Sequence, residues 1–376
     1  VNMQLFGCLA LLVSSTFAAP LNETIRVARQ AYSNIWPNGI IPVAFNSAYP
    51  EAQKAAVRAG MKRWEMTTCV RFRDGDTTSK NRIEIYDGGS CQSSVGIQGG
   101  KQTASLGSGC NGVSTTAHEL GHALGLHHMQ VRPDRNNYIT VYKDRIIPTT
   151  YDSNYGIDTK TKDMGLPYDY SSLLHYTPWQ FLNNPSLPGI VPRDARFRFN
   201  MGGLYPSFYD TMRVNKMYCP NKCASYRTTC QNNGVPDVND CSKCYCPIGW
   251  EGRDCSQNPA GSVVLNANTN EQTYSTTLGN SNDPQTYDYT FRHIVINAPA
   301  NRRVSMRVTY LWVSFDDSCT YGGIQVFGMR DARTGAPRAC KMEWIEPSYT
   351  SEGNRMYIRL YKRVFNAVLN LSYKAI

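Results

Sequence analysis

Residues 116–128 read Thr-Ala-His-Glu-Leu-Gly-His-Ala-Leu-Gly-Leu-His-His, and few folds can accommodate that spacing of His118, Glu119, His122, Gly125 and His128. On a helix, His118 and His122 lie one turn apart and face the same way, so both imidazoles reach one ion. Glu119, one residue on, falls beside that ion rather than on it, where a carboxylate can take a proton from water. Gly125 lets the chain leave the helix through a left-handed turn and brings His128 back toward the other two. Three neutral nitrogens leave one position open, which is the pattern of a catalytic zinc site with one Zn2+ per chain rather than a structural one. A surface helix with a capping glycine is the competing reading, but it leaves three matched intervals unexplained in a chain with only six histidines. His127 is expected to face away from the ion, and His293 to be structural or solvent-exposed.

At 376 residues the chain is long enough for two or three domains. The apolar run at residues 5–13, followed by small residues, has the layout of a secretory leader cut near Ala18, and residues 19–29 form a short segment ending in Arg26-Val-Ala-Arg29. No later stretch approaches the roughly 20 apolar residues of a membrane span. Setting aside Cys8 in the leader leaves twelve of the 13 cysteines, an even number that suits disulfides in an exported protein. Asn22-Glu-Thr and Asn370-Leu-Ser are glycan acceptor sequences, making Asn22 and Asn370 candidate glycosylation sites. The net charge of +10 is scattered, with no run of five basic residues and no recognisable module, so nucleic-acid binding is not expected. A mild preference for acidic extracellular partners is expected instead.

Along the chain, Val57, Met61 and Trp64 recur at helical spacing over residues 51–67 and predict an amphipathic helix with that stripe inward. Short strands are predicted at residues 69–72, 82–86 and 101–106, the last as a sheet edge against which an extended peptide would pair. Residues 138–218 are rich in Pro, Gly, Asn and Tyr and read as irregular, apart from an amphipathic stretch near 210–217. Seven cysteines crowd into residues 219–255, a piece too short to fold on apolar burial alone. From Gly261 alternation over residues 303–313 and 364–373 predicts a β-sandwich.

Several segments together resemble the astacin family of metzincin zinc endopeptidases: Thr67-Thr-Cys-Val-Arg-Phe72, Ser90-Cys-Gln-Ser-Ser-Val-Gly96, the histidine motif, Arg132-Pro-Asp-Arg-Asn-Asn-Tyr138 and Pro167-Tyr-Asp-Tyr-Ser-Ser-Leu-Leu-His-Tyr176. The resemblance implies an α+β catalytic domain over residues 30–219, with a mixed sheet, an active-site helix and an irregular second half. The stretch Cys244-Tyr-Cys-Pro-Ile-Gly-Trp-Glu-Gly-Arg-Asp-Cys255 resembles an EGF-like module (220–256), and residues 261–376 resemble a CUB domain, an order similar to nematode-type astacins. Gly322 follows Tyr321 where calcium-binding CUB domains carry aspartate, so calcium is not expected there.

Carried over residue by residue, the resemblance implies zinc on His118, His122 and His128, Glu119 as general base, and Tyr176 as a tyrosine that approaches zinc at rest and swings to stabilise the oxyanion. It implies disulfides Cys69 to Cys219, Cys91 to Cys110, Cys223 to Cys241, Cys230 to Cys244, Cys246 to Cys255 and Cys319 to Cys340. Implied partners are protein or peptide substrates such as matrix, cuticle or eggshell proteins outside the cell. Three departures bear on activity. Leu174 stands where the family has a methionine beneath the zinc, Met129 stands where a glutamate commonly follows the third histidine, and no aspartate precedes Asp74 to keep the enzyme latent. Leu174 and Met129 motivate the alternative of a catalytically silent binding or adhesion protein acting through its EGF-like and CUB modules.

Overall fold

The computed structural model describes residues 34–110, 112–161, 163–197 and 201–376. The expected leader, the segment 19–29 and Asn22 lie outside the described residues. The first half is built on a five-stranded mixed sheet of β1 (Ile40–Phe45), β2 (Arg71–Asp74), β3 (Arg82–Tyr86), β4 (Cys91–Ser93) and β5 (Lys101–Leu106), ordered β2-β1-β3-β5-β4. All pairings are parallel except β4 with β5. The edge expected at residues 101–106 is therefore corrected: β5 is enclosed by β3 and β4, and the three-residue β4 is the edge on that side of the sheet, with β2 at the other. The Cys91–Cys110 disulfide, at the start of β4 and just past the end of β5, ties those two strands together.

Helix α1 (Glu51–Glu65) covers the sheet with its predicted stripe: Val57 and Trp64 are fully buried and Met61 nearly so. Each such side chain contributes about 1.5–3 kcal/mol of burial. Helix α2 (Val113–Ala123) lies against α1 at close range, because Gly60 presents no Cβ; one placed there would meet Thr116 Oγ1 at 2.5 Å. Trp64 Nε1 crosses the contact to donate to Ala117 O at 2.8 Å.

The stretch expected to be irregular carries the ribbon β6 (Ile139–Val141) with β7 (Ile190–Pro192), the short α3 (Pro148–Tyr155) and α4 (Phe208–Tyr218). Helix α4 begins with a capping box: Ser207 Oγ accepts from Asp210 N, and Asp210 Oδ2 accepts from Ser207 N. The cysteine-rich stretch forms the hairpin β8 (Val235–Asp237) and β9 (Asp240–Tyr245). All six pairs named above are bonded as disulfides, from Cys69–Cys219, which closes the first half, to Cys319–Cys340.

The last third holds β10 (Val263–Asn266), β11 (Gln272–Leu278), β12 (Thr290–Asn297), β13 (Val304–Trp312), β14 (Gly322–Phe327), β15 (Arg338–Ala339), β16 (Tyr349–Thr350), β17 (Arg355–Lys362) and β18 (Ala367–Ala375). They form two sheets, β10-β12-β17-β14-β15 and β11-β18-β13-β16, that share one apolar core including Ile294, Ile358, Met306 and Leu369. This sandwich packs on the first half. Arg63 and Tyr205 both bond Asp288, Val113 N donates to Tyr287 O at 3.0 Å, and Trp179 stacks on Trp344. His293 accepts or donates at 2.6 Å to Tyr357 Oη on the outer face of the β12–β17 sheet, far in the chain from the other histidines.

Candidate active site

Helix α2 ends through a two-bond cap: Gly125, at φ +103°, donates to His122 O at 2.8 Å and Leu126 N donates to Gly121 O at 3.0 Å. The reversal delivers His128, and Met129 N then bonds Leu174 O at 2.9 Å, which locks the returning strand to the 172–176 loop. The Nε2 atoms of His118, His122 and His128 stand 3.1–3.2 Å apart. Two tautomers are fixed by backbone carbonyls, which only accept: His118 Nδ1 donates to Leu173 O at 2.7 Å and His122 Nδ1 to Leu126 O at 2.8 Å. Their Nε2 lone pairs therefore point at a common centre, an arrangement that suits a cation. Burial holds all three imidazoles below their ordinary pKa, His122 down to about 3, so they stand as neutral ligands. The donor set, three neutral nitrogens with a fourth side open, fits zinc.

Glu119 lies beside the triad and is almost wholly buried. Burial raises its pKa to about 8, opposed by a hydrogen bond from the Ser93 backbone of β4. Its Oε2 has no hydrogen-bond partner among the described residues. A cation at the triad would pull that carboxyl back toward its charged form. Beside it opens a cleft of about 550 Å3, bounded by Ser93 and Val95 on one side and by Asp152, Ser153 and Ile157 on the other, with His122 and His128 at its floor. His127 lines this cleft outside the triad and pairs with Asp158 at 2.7 Å.

Tyr176 is buried, its ring 4.4 Å from that of His128, and its hydroxyl donates to Asn154 Oδ1 at 3.1 Å. The hydroxyl is thereby bonded to α3. Leu174 is buried beneath the site against Gly121, and Met129 is buried nearby. Asn370 sits on β18, across from Tyr310 and Ser275, remote in the fold from the triad.

Asp210 escaped the sequence reading. Besides capping α4, its carboxylate accepts from Ser172 Oγ at 2.6 Å and from Leu173 N at 2.7 Å, and Leu173 O in turn orients His118. The Ser207-x-x-Asp210 spacing, a variant of the capping box, was the available signal. Asn154 escaped as well, with no motif to mark it.

Residues 28–219 match the family model described as Astacin, a family of peptidases. Zinc metalloproteinase nas-31 of Caenorhabditis elegans is 32% identical over 362 residues, covering 93% of this chain and 59% of that protein. Zinc metalloproteinase nas-25 of the same organism is 30% identical over 383 residues, covering 96% of this chain and 92% of that one. The chain thus spans nearly the whole of one relative and less than two thirds of the other. Among solved structures, high choriolytic enzyme 1, a hatching enzyme zinc-protease from the medaka Oryzias latipes, aligns with 50% of this chain and 94% of its own at 31% identity and a TM-score of 0.47. With the family model matching just over half of its length, around three converging histidines, the chain belongs to the astacin family of zinc metallopeptidases.

Proposed function

We propose that this chain is an exported zinc endopeptidase that hydrolyses peptide bonds in proteins outside the cell. Zinc held by His118, His122 and His128 would supply Lewis acidity, lowering the pKa of a water toward about 7 and polarising a peptide carbonyl. Glu119 takes the proton of the attacking water and delivers it to the leaving amine nitrogen. The observation that carries this reading is the Glu119 carboxylate itself: buried beside the triad, steadied by Ser93, with Oε2 left for a proton. The phenol of Tyr176 donates to the developing oxyanion. Substrate backbone pairs with the edge strand β4, whose outer groups border the cleft.

In this reading residues 30–219 are the catalytic domain, 220–256 an EGF-like module and 261–376 a CUB-like domain, preceded by a leader (1–18) and a short pro-segment (19–29). Six disulfides fit an oxidising compartment, and no helix among the described residues is long and apolar enough to cross a membrane. Matrix, cuticle and eggshell proteins are the candidate substrates. The silent binding protein is the second reading, motivated by Leu174 and Met129; both are buried apolar residues that leave the triad's convergence intact.

The test is cleavage of a broad peptide library by the purified protein beside Glu119→Ala, with zinc quantified in each. Cleavage by the parent, and zinc without cleavage in the variant, is expected. Zinc in both with cleavage by neither, after removal of residues 1–29, overturns the peptidase reading in favour of the binding protein.

A further inference from the structure

Arg359, in the middle of β17, is 7% exposed and borders a cavity of about 30 Å3 where the sandwich meets the first half of the chain. Ser171, Tyr205 and Ser207 wall that cavity from the first half, Ile248 from the cysteine-rich stretch, and Arg333 from the sandwich. The room exceeds the roughly 10–15 Å3 that one water needs. A guanidinium keeps its charge and offers five N–H donors. Those of Arg359 meet one neutral acceptor, Gln325 Oε1, reached by Nε at 3.1 Å and also by Nη2. Among the described residues no other hydrogen bond and no ion pair reaches it. The rings of Phe291 and Phe327, with centroids 4.7 and 6.0 Å away, offer their faces but no counter-charge.

The neighbouring acids and phenols are committed elsewhere. Asp288 accepts from Arg63 and Tyr205, Asp331 takes Arg333 in a two-point pair at 2.8 and 2.9 Å, and Ser207 donates to Asp169 at 2.6 Å. Tyr357 and Tyr361, two residues to either side along β17, bond His293 and Cys319 O at 2.6 and 2.7 Å. A buried cation without an opposite charge is costly. Water can fill the cavity and satisfy N–H donors, but it brings no charge. We propose that the cavity is an anion site for a single halide ion, chloride in the fluid outside cells, which supplies the missing counter-charge of Arg359. The ion is held by the sandwich and walled by Ser171 and Tyr205 of the first half, so its binding steadies the docking of one on the other. No metal ligand lines the cavity, nor does Glu119, and the site does not depend on the peptidase reading.

The test is thermal unfolding of the full, zinc-loaded chain at constant ionic strength, while potassium gluconate, whose anion is too large for the cavity, is exchanged for potassium chloride or bromide. Tm is expected to rise by a few degrees, as binding to the native state alone requires. The rise should level off below about 0.15 M, the physiological ionic strength. Arg359→Met, uncharged and of similar length, should melt at one temperature in gluconate and in chloride. Arg330→Met, at an exposed arginine outside this cavity, should keep the rise. A parent Tm indifferent to halide would mean that the cavity holds water only, and a rise that never levels off would be a bulk salt effect; either result overturns the proposal. A rise retained in Arg359→Met places the halide elsewhere, the zinc included, and overturns it as well. Should Arg359→Met fail to fold, crystals of the parent in bromide decide. An anomalous peak beside the Arg359 guanidinium is expected, and a cavity without one sinks the assignment.

Discussion

Trp179, three residues past Tyr176, stacks on Trp344 of the sandwich with ring planes 5° apart and centroids at 6.2 Å. The contact joins the chain leaving the active-site loop to the core of a domain more than a hundred residues away. Trp344→Ala should cost about 3 kcal/mol of stability, at the low end for a buried aromatic. It should also raise KM with zinc content unchanged, because the segment after Tyr176 loses its support. Thermal unfolding and steady-state kinetics on the same preparation measure both; an unaltered KM would mean that the sandwich bears on stability alone.

Metal removal should destabilise the folded protein. Binding to the native state alone adds about 4 kcal/mol when free zinc is 1,000 times its Kd. A chelator should therefore lower Tm, and zinc should restore it. A melting curve indifferent to chelator would show that the three lone pairs do not hold an ion of that affinity.

Gly121 and Leu174 meet under the site. A Cβ on Gly121 would lie 3.0 Å from Trp64 Cζ2 and 3.1 Å from Leu174 Cδ2, both held in a filled core. Gly121→Ala should cost about 1–3 kcal/mol, whereas Leu174→Met, which conserves volume, should cost less than about 1.5 kcal/mol and leave kcat within a few-fold. Chemical denaturation of the two variants against the parent gives the order; the reverse order would discount the close approach.

Asp169 is buried and accepts from Ser207 Oγ at 2.6 Å and Ser171 N at 2.9 Å. Burial, then the charge of Asp210, raises its pKa to about 6, above the ordinary carboxyl value. The native state therefore keeps a proton that the unfolded chain releases near pH 4, so this group's contribution is complete below about pH 4 and is lost as pH rises through about 6. Asn at this position carries no such dependence. The Tm difference between parent and Asp169→Asn should shift in favour of the variant between pH 4 and pH 7, and a difference flat across that range would show that Asp169 is ionised throughout.

Local periodicity carried the sequence reading where it succeeded. The Val57, Met61 and Trp64 stripe and the histidine intervals are each set within one helix and its cap, so neighbouring residues suffice to read them. The edge strand was misassigned because β4 has only three residues and no alternation; it exists through pairing with β5 and the tie to Cys110. Helix α3 went unread because its Thr, Tyr, Asp, Ser and Asn are poor helix formers, with only Pro148 marking a start. With α3 hidden, Asn154 had no address, and the partner of the Tyr176 hydroxyl was invisible even though the tyrosine itself was not. Asp210 joins elements far apart in sequence, and its carboxylate is legible as a cap but not as the support of Leu173.

The cysteine-rich hairpin is gripped from both directions. Asn239 Nδ2 donates to the carbonyls of Glu65 and Met66 at the end of α1, at 3.0 and 3.1 Å, while on the far side the Arg355 guanidinium lies 3.8 Å from the Trp250 ring and bonds Gly249 O at 2.7 Å. A tether fastened at both ends cannot act as a leash. A target seized by the sandwich would meet the cleft at one bearing and one distance, and the molecule would score its substrate like a fixed gauge, at a set interval from the grip, instead of sweeping along it.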